Sequence, residues 1–236
     1  MKKILLILLL AFTTFSFSQK RRALLMQNND TAYAFDKALE FDGNNDFVSI
    51  TNELVTESIT ISFWFYGVSG INCVLGSTTN LTDYFRVRND RIEVRSGGLG
   101  DTAENFFETV PINQWNHIFY TYSDNTTDLS RLWLNGVELS HTNTSDLKHT
   151  FRYNIIGEQQ NNNAPFDGAL DDVLMYNSAV SNPDIKALEI YNGADPLTII
   201  PLAQHLYRFN DNANNEGSLG GAGTLNNFVA DPYVTH

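Results

Sequence analysis

From residue 38 onward the chain is a succession of short segments in which apolar and polar residues alternate, set apart by Asn, Asp, Gly and Ser. A period of two is what a strand with one buried face requires, because successive side chains point to opposite sides of the sheet. In "ITISFWFY" (59–66), Ile59, Ile61, Phe63 and Phe65 fall on one face and Thr60, Ser62, Trp64 and Tyr66 on the other. "HIFYTYS" (117–123) and "RLWLNGVELS" (131–140) continue the pattern, and Asn135-Gly136 can take the positive φ angles of a type I′ hairpin turn. A further hairpin is legible in "YFRVRNDRIEVR" (84–95). With Asn89-Asp90 as a two-residue loop, Tyr84 pairs with Arg95, Phe85 with Val94, Arg86 with Glu93, Val87 with Ile92 and Arg88 with Arg91. That register gathers the apolar pairs on one face and leaves four arginines, Glu93 and Tyr84 on the other.

One segment has helical spacing. Ser181 as N-cap, Pro183 in the first turn and Asp184 completing a capping box predict a helix of about three turns at most. Ile185, Leu188 and Tyr191 share one side, and the helix ends near Asn192-Gly193. Roughly ten or more strands with one short helix make the chain all-β, and an antiparallel two-sheet sandwich is the natural architecture.

Composition adds limits. The chain has 236 residues, 42% hydrophobic and 12% aromatic, enough for one full-size core or one core with an appendage. Residues 1–18 carry two lysines, an apolar run from Ile4 to Phe12 and a more polar end, the pattern of a signal peptide cut before Gln19. No later stretch approaches the ~18 apolar residues of a membrane span. The mature protein is expected to be exported, secreted or at the cell surface, with the periplasm as an alternative, and 19–37 reads as a polar leader. The single cysteine, Cys73, beside Val74 and Leu75, is expected in the core. A formal charge of -12 argues against nucleic acid and is compatible with divalent cations or neutral glycans.

The triplet Phe-Asp-Gly occurs twice, in "FDGNNDFVSI" (41–50) and "FDGALDDVLMY" (166–176), each time ahead of strand-like residues. Taken in order, "ALEFDGNNDFVSI", "SITISFWFY", "INQWNHIFYTYS", "RLWLNGVEL", "NIIGEQ" and "FDGALDDVLMYNSAVSNPDIKAL" resemble the laminin-G-like domain of the concanavalin A-like lectin/glucanase superfamily, in its secreted bacterial form. The resemblance implies a jelly roll over 38–193 with its first and last strands close together. It also implies a structural calcium ion near these strands, for which Asp42, Asn45, Asp46, Asp171 and Asp172 are the oxygen donors on offer. Each Asp-Gly is equally an ordinary turn in which aspartate caps its own backbone. Asp171 and Asp172 point to opposite sides of an extended chain, so both reach one ion only across a bulge. The family's usual opening strand has its likeness at the other end, in "LAQHLYRFNDNANNEGSLGGAGTLNNFVADPYVTH" (202–236). Residues 194–236 therefore read as a linker plus a partial repeat, partly disordered or merely docked, with a displaced strand closing the first domain as an alternative.

Trp64, Trp115 and Trp133 are either sugar platforms or core, and core is the commoner fate of tryptophan. His117 reads as a hydrogen-bonded sheet residue. The arginine face, Tyr84, Arg86, Arg88, Arg91 and Arg95, is a candidate site for a carboxylated or sulfated glycan, with a solvated strand face as the alternative. Arg88 opposite Arg91 costs stability unless an anion or water lies between them. The glucanase motif E-x-D-x-x-E, which sets two carboxylates across a scissile bond, is absent, as are G-x-S-x-G, H-E-x-x-H, C-x-x-C and Walker loops. The expectation is a non-catalytic module binding a glycan or a cell-surface protein. A glycoside hydrolase with an atypical carboxylate pair and a purely adhesive spacer are the alternatives.

Overall fold

The computed structural model describes residues 37–67, 70–96, 103–124, 130–140, 149–159 and 163–235. The expected signal peptide and all of the leader except Lys37 lie outside the described residues.

Two antiparallel sheets face each other. The first runs β10 (Val137–Leu139), β9 (Ser130–Leu134), β8 (Trp115–Tyr122), β3 (Ile59–Gly67), β12 (Asp167–Tyr176), β1 (Lys37–Asp42) and β15 (Tyr233–Thr235), with β13 (His205–Tyr207) added to β12. The second runs β14 (Thr224–Asn226), β2 (Phe47–Thr56), β11 (Phe151–Ile156), β4 (Ile71–Gly76), β5 (Tyr84–Arg88), β6 (Arg91–Arg95) and β7 (Glu104–Phe107). This is the all-β jelly-roll sandwich that the alternation and the resemblance predict. Ile59, Ile61, Phe63 and Phe65 meet Val74, Phe85, Val87, Ile92 and Val94 in the main core. Both predicted hairpins form: β5 and β6 pair in the expected register, and Asn135 and Gly136 take φ of 53° and 76°. Cys73 is fully buried, and burial pushes its thiol up to about 12, which leaves it inert as a nucleophile.

The outer face of the first sheet is covered as well. Helix α1 (Pro183–Tyr191) and the short α2 (Pro196–Ile199) lie over it, and Ala187, Ile190, Ile200 and Ala203 join Phe119, Trp133, Leu174 and Leu206 in a second core. The predicted cap and helix face need correction. Asn182, at φ 53°, precedes the helix without a side-chain cap bond, and Ile185 and Leu188 are exposed while Ala187 and Ile190 face the sheet. The small Ala187 lets the helix approach Phe119 and Trp133, so the buried line is shifted from the one the large side chains mark. Trp64 and Trp133 are buried under this layer, Trp64 stacked on Tyr191 at 5.9 Å, and neither offers a free face to a sugar.

The division at 193 is also corrected. Residues 202–235 carry β13, β14 and β15, which join β12, β2 and β1 respectively, so this segment belongs to both sheets of one sandwich. Leu206 lies in the outer core and Tyr207 and Phe209 in the main one, each at most 1% exposed.

Candidate functional site

The recurrence of Phe-Asp-Gly has a structural cause. Strands β1 and β12 pair antiparallel with Phe41 opposite Gly168 and Asp42 opposite Asp167. Phe41 and Phe166 meet edge to face at 5.6 Å in the core. Gly43 and Gly168 hold φ of 73° and 134°, and a Cβ on Gly43 would lie 2.8 Å from Cβ of Asp167. The two triplets are thus the two halves of one strand pairing.

The five residues offered as calcium ligands fall into two groups. At the β1–β2 turn the Asp42 carboxylate accepts from the Asn44 amide at 2.9 Å, and Asp46 Oδ2 accepts from the Asp42 amide at 3.0 Å. Asn45 follows in the same turn, its carbonyl accepting from Asn227 at 2.8 Å. Asp46 is 4% exposed, and its Oδ1 has no hydrogen-bond partner among the described residues. Burial, ahead of the nearby Asp42 charge, raises its carboxyl above the usual range. Asp171 and Asp172 lie four and five positions beyond Asp167 along β12, roughly 13–17 Å at strand spacing, too far to share one ion with this turn. Among the described residues no three His, Cys, Asp or Glu side chains gather to hold a metal. Asp167, absent from the predicted set, is the acid that faces Asp42.

Asp171 and Asp172 do something else. On one edge β12 pairs first with β1 (167–170) and then with β13 (173–175), and its pairing with β3 on the other edge shifts register between Asp171 and Leu174. The bulge that the acid pair needed is present. Asp172 takes φ 50°, a left-handed conformation that aspartate tolerates better than most residues, and its amide donates to Asp171 Oδ1 at 2.7 Å. Arg208 places Nη1 3.7 Å from Asp172, Nη2 3.1 Å from Asp195 and Nε 2.6 Å from Glu216. Two carboxylates at this point therefore switch β12 from one partner strand to the next and anchor Arg208.

On the outer face of the second sheet, the β5–β6 hairpin presents its arginines as predicted. Glu93 draws three of them together, with Arg91 Nε at 2.7 Å, Arg88 Nη1 at 3.2 Å and Arg86 Nη1 at 4.0 Å. Asp90 adds a bond to Arg91 at 2.7 Å and lies 3.8 Å from Arg88. The hydrogen bond to Glu93 raises the Arg91 pKa further, so this guanidinium stays charged at any working pH. Arg86 also bonds Gln159 and lies 4.0 Å over the Tyr84 ring, with Arg95 at 6.0 Å. Tyr84 is 6% exposed beneath them and supports the arginines more than it meets solvent. Arg88 and Arg91 are more accessible than Arg86, and Arg88 also borders a cleft at the hairpin tip with Asn72, Asn89, Val110 and Ile112.

One residue of this face escaped the sequence reading. Phe107 stands directly opposite Arg91 across the β6–β7 pairing and is 61% exposed, while Phe106 is fully buried. The signal was available, since adjacent residues of a strand point to opposite faces and only one of Phe106-Phe107 can enter the core.

A third cluster joins the sheets. His149 Nε2 lies 3.1 Å from Glu104, its Nδ1 lies 2.6 Å from Ser96 Oγ, and Tyr120 donates to the other Glu104 oxygen at 3.1 Å. Burial, with the Glu104 charge behind it, raises the Tyr120 phenol well above its ordinary value. Serine, histidine and glutamate in series resemble a nucleophile with its base. Each is 4% exposed, however, and the imidazole is stacked on Phe151 at 5.4 Å, so the chain of bonds reads as a polar tie inside the core.

The comparisons agree with this architecture. Domain 4 of the extracellular GH43 arabinanase AbnA from Geobacillus stearothermophilus, solved in complex with arabinotriose, matches with TM-score 0.52 and 12% identity over 68% of this chain and 79% of its own. A Bacteroides ovatus protein with a provisional carbohydrate-binding name matches with TM-score 0.60 and 17% identity, over 85% of this chain and 60% of its own. A heptameric SAP-like pentraxin from Limulus polyphemus matches with TM-score 0.53 and 11% identity over 66% and 82%. No curated protein is similar in sequence. Among the described residues no helix is long and apolar enough to cross a membrane. The model of the third laminin G family, described as concanavalin A-like lectin/glucanases superfamily, matches residues 42–186, more than half of the chain, and the chain belongs to that family.

Proposed function

We propose that this chain is a non-catalytic module, acting outside the cell, that binds an acidic glycan on the outer face of the β5–β6 hairpin. The observation that carries the reading is charge placed against the grain. In a chain of formal charge -12, four arginines share one strand face with a single glutamate, beside an exposed phenylalanine. Arg88 and Arg91 would hold a carboxylate or sulfate through charged, directional hydrogen bonds, and Phe107 would receive the apolar face of a sugar ring. The arabinotriose-bound arabinanase domain supports a sugar ligand for this fold, though fold alone does not choose the ligand.

The test is titration calorimetry with polygalacturonate, heparin and their neutral counterparts. The acidic polymers bind, and affinity falls with salt. Arg88→Ala/Arg91→Ala weakens binding at least about 100-fold, taking about 1.5 kcal/mol or more for each charged hydrogen bond. Phe107→Ala weakens it about 3–10-fold, corresponding to the ~0.5–1.5 kcal/mol of an aromatic contact. Arg86 stays beside Glu93 in the double variant, so the hairpin keeps a partner for its buried acid. Parental affinity in the double variant, equal binding of neutral polymers, or turnover of any of them would overturn the reading.

The same proposal includes a calcium ion at the β1–β2 turn, with Asp42, Asn45 and Asp46 as side-chain donors; the lone Oδ1 of Asp46 is its support. The raised carboxyl of Asp46 means that ionising it in the fold costs stability as pH rises through its range, and a cation would relieve that cost. Calcium at about 100 times its dissociation constant then adds about 2.7 kcal/mol, or roughly 5–10 °C in Tm at this chain length. Asp46→Asn, which keeps an acceptor for the Asp42 amide, removes the calcium increment. Identical melting with calcium and with chelator would refute the ion.

A further inference from the structure

We infer that residues 202–235 are a separable closing segment, which the groove formed by β1, β2 and β12 takes up as it would a ligand, without needing the peptide link to residue 201. The segment adds a strand at three places: β13 continues along β12 where β1 leaves it, β14 flanks β2 in the opposite sheet, and β15 flanks β1. This is strand addition at free sheet edges, with Leu206, Tyr207 and Phe209 as buried anchors and Arg208 fixing the register against the Asp172 bulge. Asn227 reaches the β1–β2 turn through the Asn45 carbonyl, and Thr51 Oγ1 donates to the Ala222 carbonyl, so the contacts extend along the whole segment.

The link itself contributes little. Pro201 and Leu202 form an exposed turn, with Leu202 66% exposed. At the far end Thr235 stands opposite Lys37 in antiparallel register. Cross-strand partners have Cα atoms only about 4.5–5.5 Å apart, a gap that a two-residue hairpin turn closes. The same strands in the same places can therefore be threaded in another order, with 202–235 leading into β1 and the chain opening at 201–202. The partner this groove fits is any copy of that segment, whether its own or one carried by a second copy of the chain.

Two proteins test the inference. The first is a permutant that runs 202–235, Asn-Gly, 37–201; every described strand and helix lies within these residues. The second is the full chain with a protease site inserted between Pro201 and Leu202, cleaved after folding. The permutant is expected to show the far-UV spectrum of the unpermuted residues and a cooperative melt within about 5 °C of theirs, about 1–2 kcal/mol at this size. The cleaved protein is expected to elute as one species containing both fragments, which part only in denaturant. Fragments that separate in native buffer, or a permutant with no cooperative transition, would overturn it.

Discussion

Arg208→Ala is expected to lower the melting temperature by roughly 10 °C or more, the largest loss for any single charged side chain described in this sandwich. Arg208 is 8% exposed, and its three carboxylate partners differ in environment. Asp195 and Glu216 are 36% and 47% exposed and can turn to water, so their contribution is small. Asp172, 1% exposed, cannot turn away without undoing the bulge that passes β12 from β1 to β13. Removing the cation from a buried pair costs about 3–5 kcal/mol because the other charge stays behind. Asp172→Asn tolerates the same positive φ and carries no charge, so Arg208→Ala/Asp172→Asn should recover at least half of the loss. Thermal melts of the four proteins close the cycle; a loss below about 1 kcal/mol in Arg208→Ala would mean that Asp172 is not held by this ion pair.

Gly168→Ala should be as damaging, for a reason that has nothing to do with charge. A Cβ at this position would stand 1.9 Å from the carbonyl oxygen of Tyr66, which lies in β3 between β8 and β12 and is held from both sides. Overpacking costs about 1–3 kcal/mol, and the φ of 134°, which side-chain-bearing residues rarely adopt, adds about 1–3 kcal/mol more. A loss of about 3–5 kcal/mol is expected in urea melts. Gly70→Ala is the control: it has the same φ of 134° but nothing within 4 Å of its Cβ, so it reads the backbone cost alone. Equal losses at the two positions would show that β3 yields freely and that the close approach is unimportant.

The strands that alternation marks were legible because their apolar faces are long enough to count: Ile59 to Phe65, and Phe85 to Val94 with its register. The hairpin at Asn135-Gly136 was legible because few residue pairs take two positive φ angles. β13, β14 and β15 were not. A strand of three residues is too short to show a period, and its partners lie far away in sequence. Helix α1 was found, but its buried face was misread because Ala187, rather than a large residue, sets the approach to the sheet. The acids show the same limit. Sequence showed that the two Phe-Asp-Gly segments are alike, but only register shows that Asp42 meets Asp167 and leaves Asp171 and Asp172 further along β12. The arginine face was read in full from one hairpin, whereas its aromatic member came from β7, beyond the reach of a local argument.

The pairing of β15 with β1 has a bearing on how the molecule is made. Strand β1 begins at Lys37, and its outer neighbour includes Thr235. A ribosome adding about 5–20 residues per second takes on the order of 10–40 s to travel between them. Throughout that interval the outer edge of β1 waits for its partner, and contacts of such long sequence separation are also the slow ones to find. Nascent chains of this protein should therefore stay open to holdase binding until β15 has left the ribosome, and acquire protease resistance in a single step once it has.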